Sequence, residues 1–384
     1  MTALPPVDRA ALIAIRRDIH QHPELGFEET RTSTVAADRL RSLGYQVKTN
    51  IGKTGVVAVR DGKAKAARCV LLRADMDALP IEEANAVAYR SLHPGRMHAC
   101  GHDGHVAIGL EVARRLAAVD LNGSVKFAFQ PAEEASNGAQ AMIVDGVLDA
   151  PRVDAAFGIH LWNELPVGTI AVTPGPFMAS VDQFDIAIHG RGGHAAAPHQ
   201  AIDPVLIAAH VISALQSLVS RRRDPLEEGV LSITEVHAGS AFNVIPDRAD
   251  LRGTVRTFGG KFYVQAPALI EQTAQGIAAA FEASARVQYR RLSGPLINDR
   301  HASALVREVA TELVGEKNVR HGVRTMGGED MAYFLEKVPG CFAFVGSAGN
   351  GAASPHHSPT FDIDEESLVI GAELLTRTAL RYLS

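Results

Sequence analysis

Short apolar runs alternate with amphipathic helical patterns along the first half of the chain. Two amphipathic segments come first, and a helix-breaking residue ends each of them: Pro23 follows residues 10–22, and Gly44 follows residues 28–43. Apolar runs of strand length then occur at residues 55–60, 68–73, 125–129, 155–160 and 169–172, with a helical pattern at 105–119. This alternation predicts a mixed α/β sheet covered on both faces.

A different pattern occupies residues 181–292. Strand, helix, strand, strand, helix and strand follow one another at 181–189, 203–222, 229–238, 249–258, 263–284 and 285–292. The order β-α-β-β-α-β is typical of a ferredoxin-like α+β domain. Helical and strand patterns resume afterwards at 302–314, 329–338, 341–346 and 365–383. We therefore predict one domain made of residues 1–180 and 293–384, with residues 181–292 inserted as a second domain.

Composition and charge narrow the class of protein and its partners. Of the 384 residues, 46% are hydrophobic and 21% are charged, as expected of a packed globular protein, and the net charge is −5. No basic excess is present to attract nucleic acid or an anionic membrane surface. We also expect no signal peptide and no apolar run long enough to cross a bilayer. Three cysteines (Cys69, Cys100 and Cys341) are too few for a disulfide framework, which predicts a cytoplasmic location.

Residue types that bind metal concentrate in a few short stretches. In residues 97–105 (MHACGHDGH), Cys100 and His102 place a thiolate and an imidazole close enough to bind one or two metal ions. The pair Glu133 and Glu134 follows an apolar strand, so one carboxylate could bind metal while its neighbour moves a proton. Taken singly, such a pair is more often a solvated surface feature. The remaining stretches are residues 73–77 (RADMD), 158–162 (GIHLW) and 354–359 (SPHHSP).

Two of these stretches allow more than one interpretation. Asp75 and Asp77 lie two positions apart at the end of a predicted strand, and we expect one to face each side of it. Either carboxylate could orient a ligand histidine, or cap a turn. His160 ends an apolar run, where a histidine is more often a satisfied core residue than a ligand. Neither a Walker A loop nor a G-x-S-x-G nucleophile elbow occurs, which leaves metal-activated water as the best mechanism.

Eight short motifs occur in order along the chain. They are residues 20–24 (HQHPE), 73–80 (RADMDALP), 98–105 (HACGHDGH), 130–134 (QPAEE), 192–195 (GGHA), 243–246 (NVIP), 327–331 (GGEDM) and 357–359 (HSP). Taken together, they strongly resemble the family of zinc aminoacylases and carboxypeptidases over nearly the whole chain. The branch they resemble is that of hippurate hydrolases and auxin-conjugate amidohydrolases.

The resemblance implies roles for individual residues. It implies two divalent metal ions per subunit (zinc, manganese, cobalt or nickel) bridged by Cys100. His102 and His160 would complete the site of one ion, and Glu134 and His357 that of the other. We choose His357 over its neighbour His356 because it directly precedes Ser-Pro.

The same likeness implies a general base and a substrate-binding group. Glu133 corresponds to the general base, and Asp77 to the acidic residue that acts on the site from behind the ligands. The inserted domain is similar to the family's lid and dimerisation domain. His194 would reach an active site of the partner subunit, Asn243 would hold the substrate, and Arg256 would pair with its carboxylate. Arg252 shares a strand face with Arg256 and stays an alternative.

We therefore predict a metal-dependent amidohydrolase that hydrolyses N-acyl amino acids, such as acetyl- or aryl-acyl-amino acids, to a carboxylic acid and a free amino acid. A dipeptidase or carboxypeptidase of the same family is the first alternative, and a metal-binding protein without catalysis is the second. The expected partner is a small-molecule substrate, with assembly into a homodimer or homotetramer through the inserted domain.

Overall fold

A computed structural model describes residues 4–63, 68–134, 137–349 and 354–384. The chain forms two compact units. Unit 1 comprises Met1–Gly175, Ile297–Arg324 and Asp330–Ser384, and unit 2 comprises Pro176–Leu296 and Thr325–Glu329. The boundaries expected from the sequence, at 181 and 292, lie a few residues from those of unit 2, whereas the segment Thr325–Glu329 was not expected in it.

The helices and strands are as follows. The α-helices are α1 (Arg9–Gln21), α2 (Thr30–Ser42), α3 (His102–Ala117), α4 (Gly138–Val144), α5 (Pro204–Ser217), α6 (Gly260–Ala280), α7 (Arg300–Val314), α8 (Ala332–Leu335) and α9 (Glu366–Leu383). The strands are β1 (Gln46–Ile51), β2 (Gly55–Arg60), β3 (Cys69–Asp75), β4 (Ser124–Gln130), β5 (Ala155–Pro166), β6 (Ile170–Ala171), β7 (Gly175–Met178), β8 (Val181–His189), β9 (Gly193–His194), β10 (Gly229–Ala238), β11 (Val244–Ile245), β12 (Arg248–Thr257), β13 (Ser284–Ser293), β14 (Leu296–Asn298), β15 (Val319–Arg320) and β16 (Gly340–Ala348).

Unit 1 is built on a mixed sheet with the strand order β1-β2-β4-β3-β5-β16-β6-β15, which confirms the predicted mixed α/β fold. The central strands β4, β3, β5 and β16 run parallel, and every residue of β3 is buried, so both sheet faces are covered there. Asp75 lies opposite Gln130, and Arg73 lies opposite Gly158. Because parallel strands end at the same edge of a sheet, three of the predicted metal-binding stretches meet there.

Two features of unit 1 differ from the sequence expectations. Strand β1 was not predicted, because its sequence QVKTNI is polar and mostly exposed, and backbone pairing with β2 at the sheet edge holds it in place. The helix expected at residues 329–338 is reduced to α8. The Asp330 side chain instead accepts hydrogen bonds from Gln130 and the Ala139 amide, which holds the start of this segment outside a helix.

Unit 2 has an antiparallel sheet with the strand order β10-β12-β8-β13, and the helices α5 and α6 supply side chains to its core. With these helices, the strands follow the β-α-β-β-α-β order along the chain. The opposite sheet face carries charged residues, among them Asp185, Arg252 and Arg290.

Cys69, Cys100 and Cys341 of unit 1 are buried and free.

The helix expected at residues 203–222 is present in unit 2, but it is more apolar than our expectation of no membrane-spanning run allowed. With the π-helical turn that follows α5, Pro204–Arg222 has the length and composition that a membrane span needs. Ile207, Val211 and Leu215 of this helix are buried in the core of unit 2. Core helices of soluble proteins pass the same test, so the criterion alone does not indicate a membrane protein.

The start of α4 allows a test of the packing around the loop at residues 131–134. A Cβ atom on Gly138 would lie 1.6 Å from the Pro131 carbonyl oxygen, whereas one on Gly276 in α6 would meet no described atom within 4 Å. We expect Gly138→Ala to lower the free energy of unfolding by ~1–3 kcal/mol through overpacking. Gly276→Ala should raise it by up to ~1 kcal/mol, because alanine favours helix. Thermal unfolding measures both; equal melting temperatures would contradict this packing.

Candidate metal centre

Two carboxylates lie on either side of the His102 imidazole. The Asp77 carbonyl oxygen accepts a hydrogen bond from His102 Nδ1 at 2.9 Å, and Asp77 Oδ1 lies 3.3 Å from the same nitrogen. Asp75 Oδ2 lies 3.6 Å from His102 Nε2. The expectation that these two acids face opposite sides of a strand was wrong, because residues two positions apart on a strand share a face, and both acids lie beside His102.

Gly101, which has a left-handed backbone conformation, connects Cys100 to the start of helix α3. Gly101 has φ of 88° and caps α3, which begins at His102, earlier than its sequence pattern predicts. Gly104 packs so closely on unit 1 that a Cβ atom there would lie 2.6 Å from Leu161 Cδ1. These two glycines place Cys100 and His102 against β5, and both side chains are buried.

The two adjacent glutamates lie on the loop that follows β4. Ala132 has a positive φ of 49°, so the chain turns sharply just before Glu133. Asp77 Oδ2 accepts a hydrogen bond from the Glu134 amide at 2.9 Å. Asp77 therefore contacts both His102 and Glu134, which is the behaviour expected of an acid behind a metal site.

Hydrogen bonds set the tautomers of His102 and His160, and both leave Nε2 able to bind a metal. His160 Nδ1 donates to the Leu161 carbonyl at 2.8 Å, so its Nε2 carries the lone pair and lies 3.5 Å from Cys100 Sγ. His102 Nδ1 likewise donates to Asp77, and its buried Nε2 has no hydrogen-bond partner among the described residues. Burial holds the pKa of His160 well below its usual value, which keeps this ring neutral.

The neighbours His356 and His357 have different surroundings. His356 Nε2 accepts a hydrogen bond from the Asn163 amide at 3.1 Å, so its Nδ1 carries the proton and points towards Cys100 Sγ at 3.8 Å. Burial lowers the pKa of His356 to about 3. His357 Nε2 lies 3.3 Å from Glu134 Oε1, and its side chain is 53% exposed. Both histidines therefore lie at the site. Of the two, only His356 already uses the lone pair of a ring nitrogen, Nε2, to accept a backbone hydrogen bond.

The structure brings all five predicted ligands together in unit 1. Ligand atoms of Cys100, His102 and Glu134 lie within 4.8 Å of one another, His160 contacts Cys100, and His357 contacts Glu134. Thiolate, imidazole and carboxylate are the ligand types that zinc and related divalent ions use. The buried Nε2 of His102 has no hydrogen-bond partner among the described residues, as expected of a nitrogen that binds a metal ion. The residues present therefore fit a metal centre.

Protons occupy part of this ligand set in the metal-free protein. Burial and the nearby carboxylates of Glu134 and Glu133 raise the pKa of the Cys100 thiol well above its ordinary value. Burial alone would lower the pKa of His102, but Asp75 and Asp77 raise it to about 10. Metal binding therefore competes with protons at this site.

A buried network behind the site was only partly predicted. Arg73 Nη1 donates to Asp75 Oδ2 at 2.6 Å, Arg73 Nη2 contacts Asp330 Oδ1 at 3.2 Å, and Arg73 Nε donates to Gln130 at 2.9 Å. His105 donates from Nδ1 to Asp75 and accepts the Leu161 amide at Nε2, so both of its nitrogens are occupied. Arg73 and Gln130 both lie in motifs of the sequence, but their partners become visible only once the strands are paired.

The predicted substrate-binding residues lie in unit 2. His194 pairs with Val244 across β9 and β11, and the Asn243 carbonyl accepts the Ala195 amide, so one small two-stranded sheet holds His194 and Asn243 together. His194 Nδ1 accepts the Ala196 amide at 3.0 Å, which leaves its Nε2–H free to donate outwards.

The two candidate arginines of β12 differ in their partners. Arg252 forms ion pairs with Asp185 at 2.7 Å and Glu235 at 3.1 Å. Arg256 is half-buried, burial lowers its pKa, and it has no ion pair with a carboxylate among the described residues. Arg256 is therefore the better placed of the two to accept a new anionic partner.

The chain is similar in sequence and in structure to several known proteins. Residues 71–381 match peptidase family M20/M25/M40. The chain is 41% identical over 374 residues to N-acetyl-L-cysteine deacetylase of Bacillus subtilis, covering 97% of this chain and 88% of the relative. It is 40% identical over 382 residues to IAA-amino acid hydrolase ILR1-like 4 of Arabidopsis thaliana, covering 97% and 86%.

A solved structure extends this similarity to the fold. The crystal structure of a Bacillus subtilis protein described as a dinuclear metal-binding peptidase of the M20 family superposes with a TM-score of 0.85 at 38% identity, covering 98% of each chain. Together with the metal-ligand cluster of unit 1, these matches show that the chain belongs to peptidase family M20/M25/M40.

Proposed function

We propose that the chain is a metal-dependent amidohydrolase that cleaves N-acyl amino acids to a carboxylic acid and a free amino acid. The observation that carries the proposal is the convergence of Cys100, His102, Glu134, His160 and His357 beside Glu133. The relatives named N-acetyl-L-cysteine deacetylase and IAA-amino acid hydrolase support the substrate class, since both names describe amides of amino acids.

The five ligands would hold two divalent ions, with Cys100 between them. His102 and His160 would bind one ion through Nε2, and Glu134 and His357 would bind the other. Bound there, the ions supply Lewis acidity, which makes water a usable nucleophile near neutral pH and polarises a carbonyl oxygen. Zinc, manganese, cobalt and nickel all suit this ligand set.

Glu133 is the general base of the proposal. It lies next to the ligand Glu134 and is largely buried, at 9% exposure. Its carboxylate would accept a proton from the attacking water and deliver the proton to the nitrogen that leaves the acyl group. Asp77 contacts both His102 and the amide of Glu134, the residue that follows this base.

Residues of unit 2 would bind the rest of the substrate. The His194 Nε2–H would stabilise the developing oxyanion, and Asn243 would hold the substrate beside it. The Arg256 guanidinium would pair with the substrate carboxylate in a bidentate manner, a geometry that lysine does not match. Unit 2 would serve as the lid and as the contact in a homodimer or homotetramer. We place the protein in the cytoplasm, which its buried free cysteines support.

A substrate panel tests the proposed reaction. Acetyl-, benzoyl- and indoleacetyl-amino acids and dipeptides should be assayed with zinc, manganese or cobalt, with detection of the released amino acid. We expect turnover of N-acyl amino acids by the wild-type chain and nearly none by Glu133→Gln, which should bind the same amount of metal. Preference for dipeptides would favour the peptidase alternative. Turnover of Glu133→Gln at the wild-type rate would contradict the role of the base.

The two adjacent histidines can be separated by metal analysis. We expect His357→Ala to lose one equivalent of bound metal, because its ring faces Glu134. His356→Ala should keep both ions, since the Asn163 amide occupies the lone pair of that ring. Elemental analysis of the dialysed variants gives the stoichiometry. Loss of an ion from His356→Ala alone would reverse the assignment.

The arginines of β12 form a matched pair for substrate binding. Arg256→Ala should lower kcat/KM at least ~30-fold, because a lost charge pair costs ~2 kcal/mol or more. Arg252→Ala removes an exposed arginine already paired with Asp185, so its effect should stay within ~0.5 kcal/mol. Steady-state kinetics on one N-acyl amino acid compare the two. Equal effects would contradict Arg256 as the carboxylate anchor.

A further inference from the structure

Glu29 is a buried carboxylate that the proposed chemistry leaves without a role. Its side chain is fully buried in unit 1, and each of its oxygens accepts one hydrogen bond. Oε1 accepts the Ala132 amide at 2.8 Å, and Oε2 accepts the Thr54 hydroxyl at 2.5 Å. The amide that Glu29 binds thus belongs to the residue immediately before Glu133.

Ala132 is the strained residue of the catalytic loop. Its φ of 49° lies in the left-handed region, which residues with a Cβ atom adopt only when their surroundings enforce it. Strain of this kind is often found at active sites, where it aims a side chain. The side chains of Glu133 and Glu134 leave the backbone directly after this residue, so their direction depends on the turn at Ala132.

The surroundings of Ala132 are close enough to enforce that conformation. A Cβ atom on Gly26 would lie 3.1 Å from Ala132 Cβ, so the segment before Glu29 packs directly on the turn. Ala132 itself is fully buried. Packing limits where Ala132 can move, and the hydrogen bond from Glu29 fixes the orientation of its peptide group.

The second carboxylate oxygen of Glu29, Oε2, is hydrogen-bonded to the hairpin between β1 and β2. Thr54 is the last residue of the hairpin turn, and its carbonyl oxygen accepts a hydrogen bond from the hydroxyl of Ser33 on α2. The Glu24 carboxylate accepts the amides of Arg31 and Thr32, which fixes the start of α2 immediately after Glu29. Glu29 therefore connects two fixed elements to the catalytic loop.

We infer that Glu29 is a positioning residue for hydrolysis, which holds the left-handed turn at Ala132 so that Glu133 and Glu134 point into the metal centre. The inference rests on the proposed function and adds a residue that touches neither substrate nor metal. A buried glutamate with a purely structural role would stabilise unit 1 without affecting the rate of the chemical step.

Three variants separate these two roles. Glu29→Ala leaves the buried Ala132 amide without an acceptor. Glu29→Gln keeps a carbonyl oxygen for that amide, and its NH2 group can donate to the Thr54 hydroxyl, which accepts as well as donates. Glu111→Ala is the control: Glu111 is a buried glutamate of α3 that bonds the Asp8 amide and Arg114, away from the catalytic loop.

The first measurement needs no substrate. Hydrogen exchange of the Ala132 amide in the metal-free protein should be faster by about tenfold in Glu29→Ala, which corresponds to one lost hydrogen bond. It should match wild type in Glu29→Gln and in Glu111→Ala. Unchanged exchange in Glu29→Ala would overturn the inference whatever the substrate of the enzyme is.

The second measurement is steady-state kinetics of the metal-loaded enzyme on an N-acyl amino acid. We expect kcat of Glu29→Ala to fall on the order of 100-fold with KM nearly unchanged, as for a misplaced catalytic group. Glu29→Gln should restore most of the rate, and Glu111→Ala should keep it. If wild type hydrolyses no member of the panel, the proposed function fails. An active wild type with an equally active Glu29→Ala overturns the positioning role alone.

A double variant tests the mechanism of positioning. Glycine adopts positive φ without strain, so Ala132→Gly should make the turn less dependent on Glu29. We expect kcat of Glu29→Ala/Ala132→Gly to exceed that of Glu29→Ala by several-fold. The double variant would then be faster than the two single substitutions predict when their effects on kcat are multiplied. A double variant no faster than that product would mean that Glu29 does not act through the turn at Ala132.

Discussion

The buried guanidinium of Arg73 is the interaction on which the site depends most. It joins Asp75 at the end of β3 to Gln130 at the end of β4 and to Asp330. Removing one partner of such a buried ion pair typically costs ~3–5 kcal/mol, because the other charge stays buried. Burial raises the pKa of Asp75, but the nearby side chains of Arg73, His102 and His105 lower it well below its usual range. A charged carboxylate therefore stays beside His102. The ends of two parallel strands and the segment at Asp330 are thereby fixed before any metal binds.

On this base, hydrogen bonds to the backbone decide which histidine nitrogens can bind metal. His102 and His160 both donate through Nδ1, so each presents Nε2 to the site. His105 and His356 accept backbone amides at Nε2, so our proposal assigns them as supports and not as ligands. The difference between ligand and support therefore lies in the backbone around each ring, although all four residues are histidines within one site.

Periodicity and motif order predict much of this arrangement, within clear limits. Apolar runs predict β3, β4 and β5, because these strands are buried on both faces, whereas polar β1 depends on pairing that periodicity does not record. The predicted residues Cys100, His102, Glu134, His160 and His357 do meet in unit 1. The expected relation of Asp75 to Asp77 was wrong, since residues two positions apart on a strand share a face. Glu29 carries no motif signal of its own, because its role depends on a contact with a residue 103 positions away.

The central proposal is that Cys100 would contribute to the sites of two metal ions, one completed by His102 and His160 and the other by Glu134 and His357. Anomalous diffraction from crystals of the metal-loaded protein, measured on both sides of the absorption edge of the metal, tests it most directly. The account predicts two anomalous peaks per subunit that share the Cys100 sulfur as a ligand, with Glu134 and His357 at one peak and His102 and His160 at the other. A single peak, or two peaks that do not share Cys100, would contradict it.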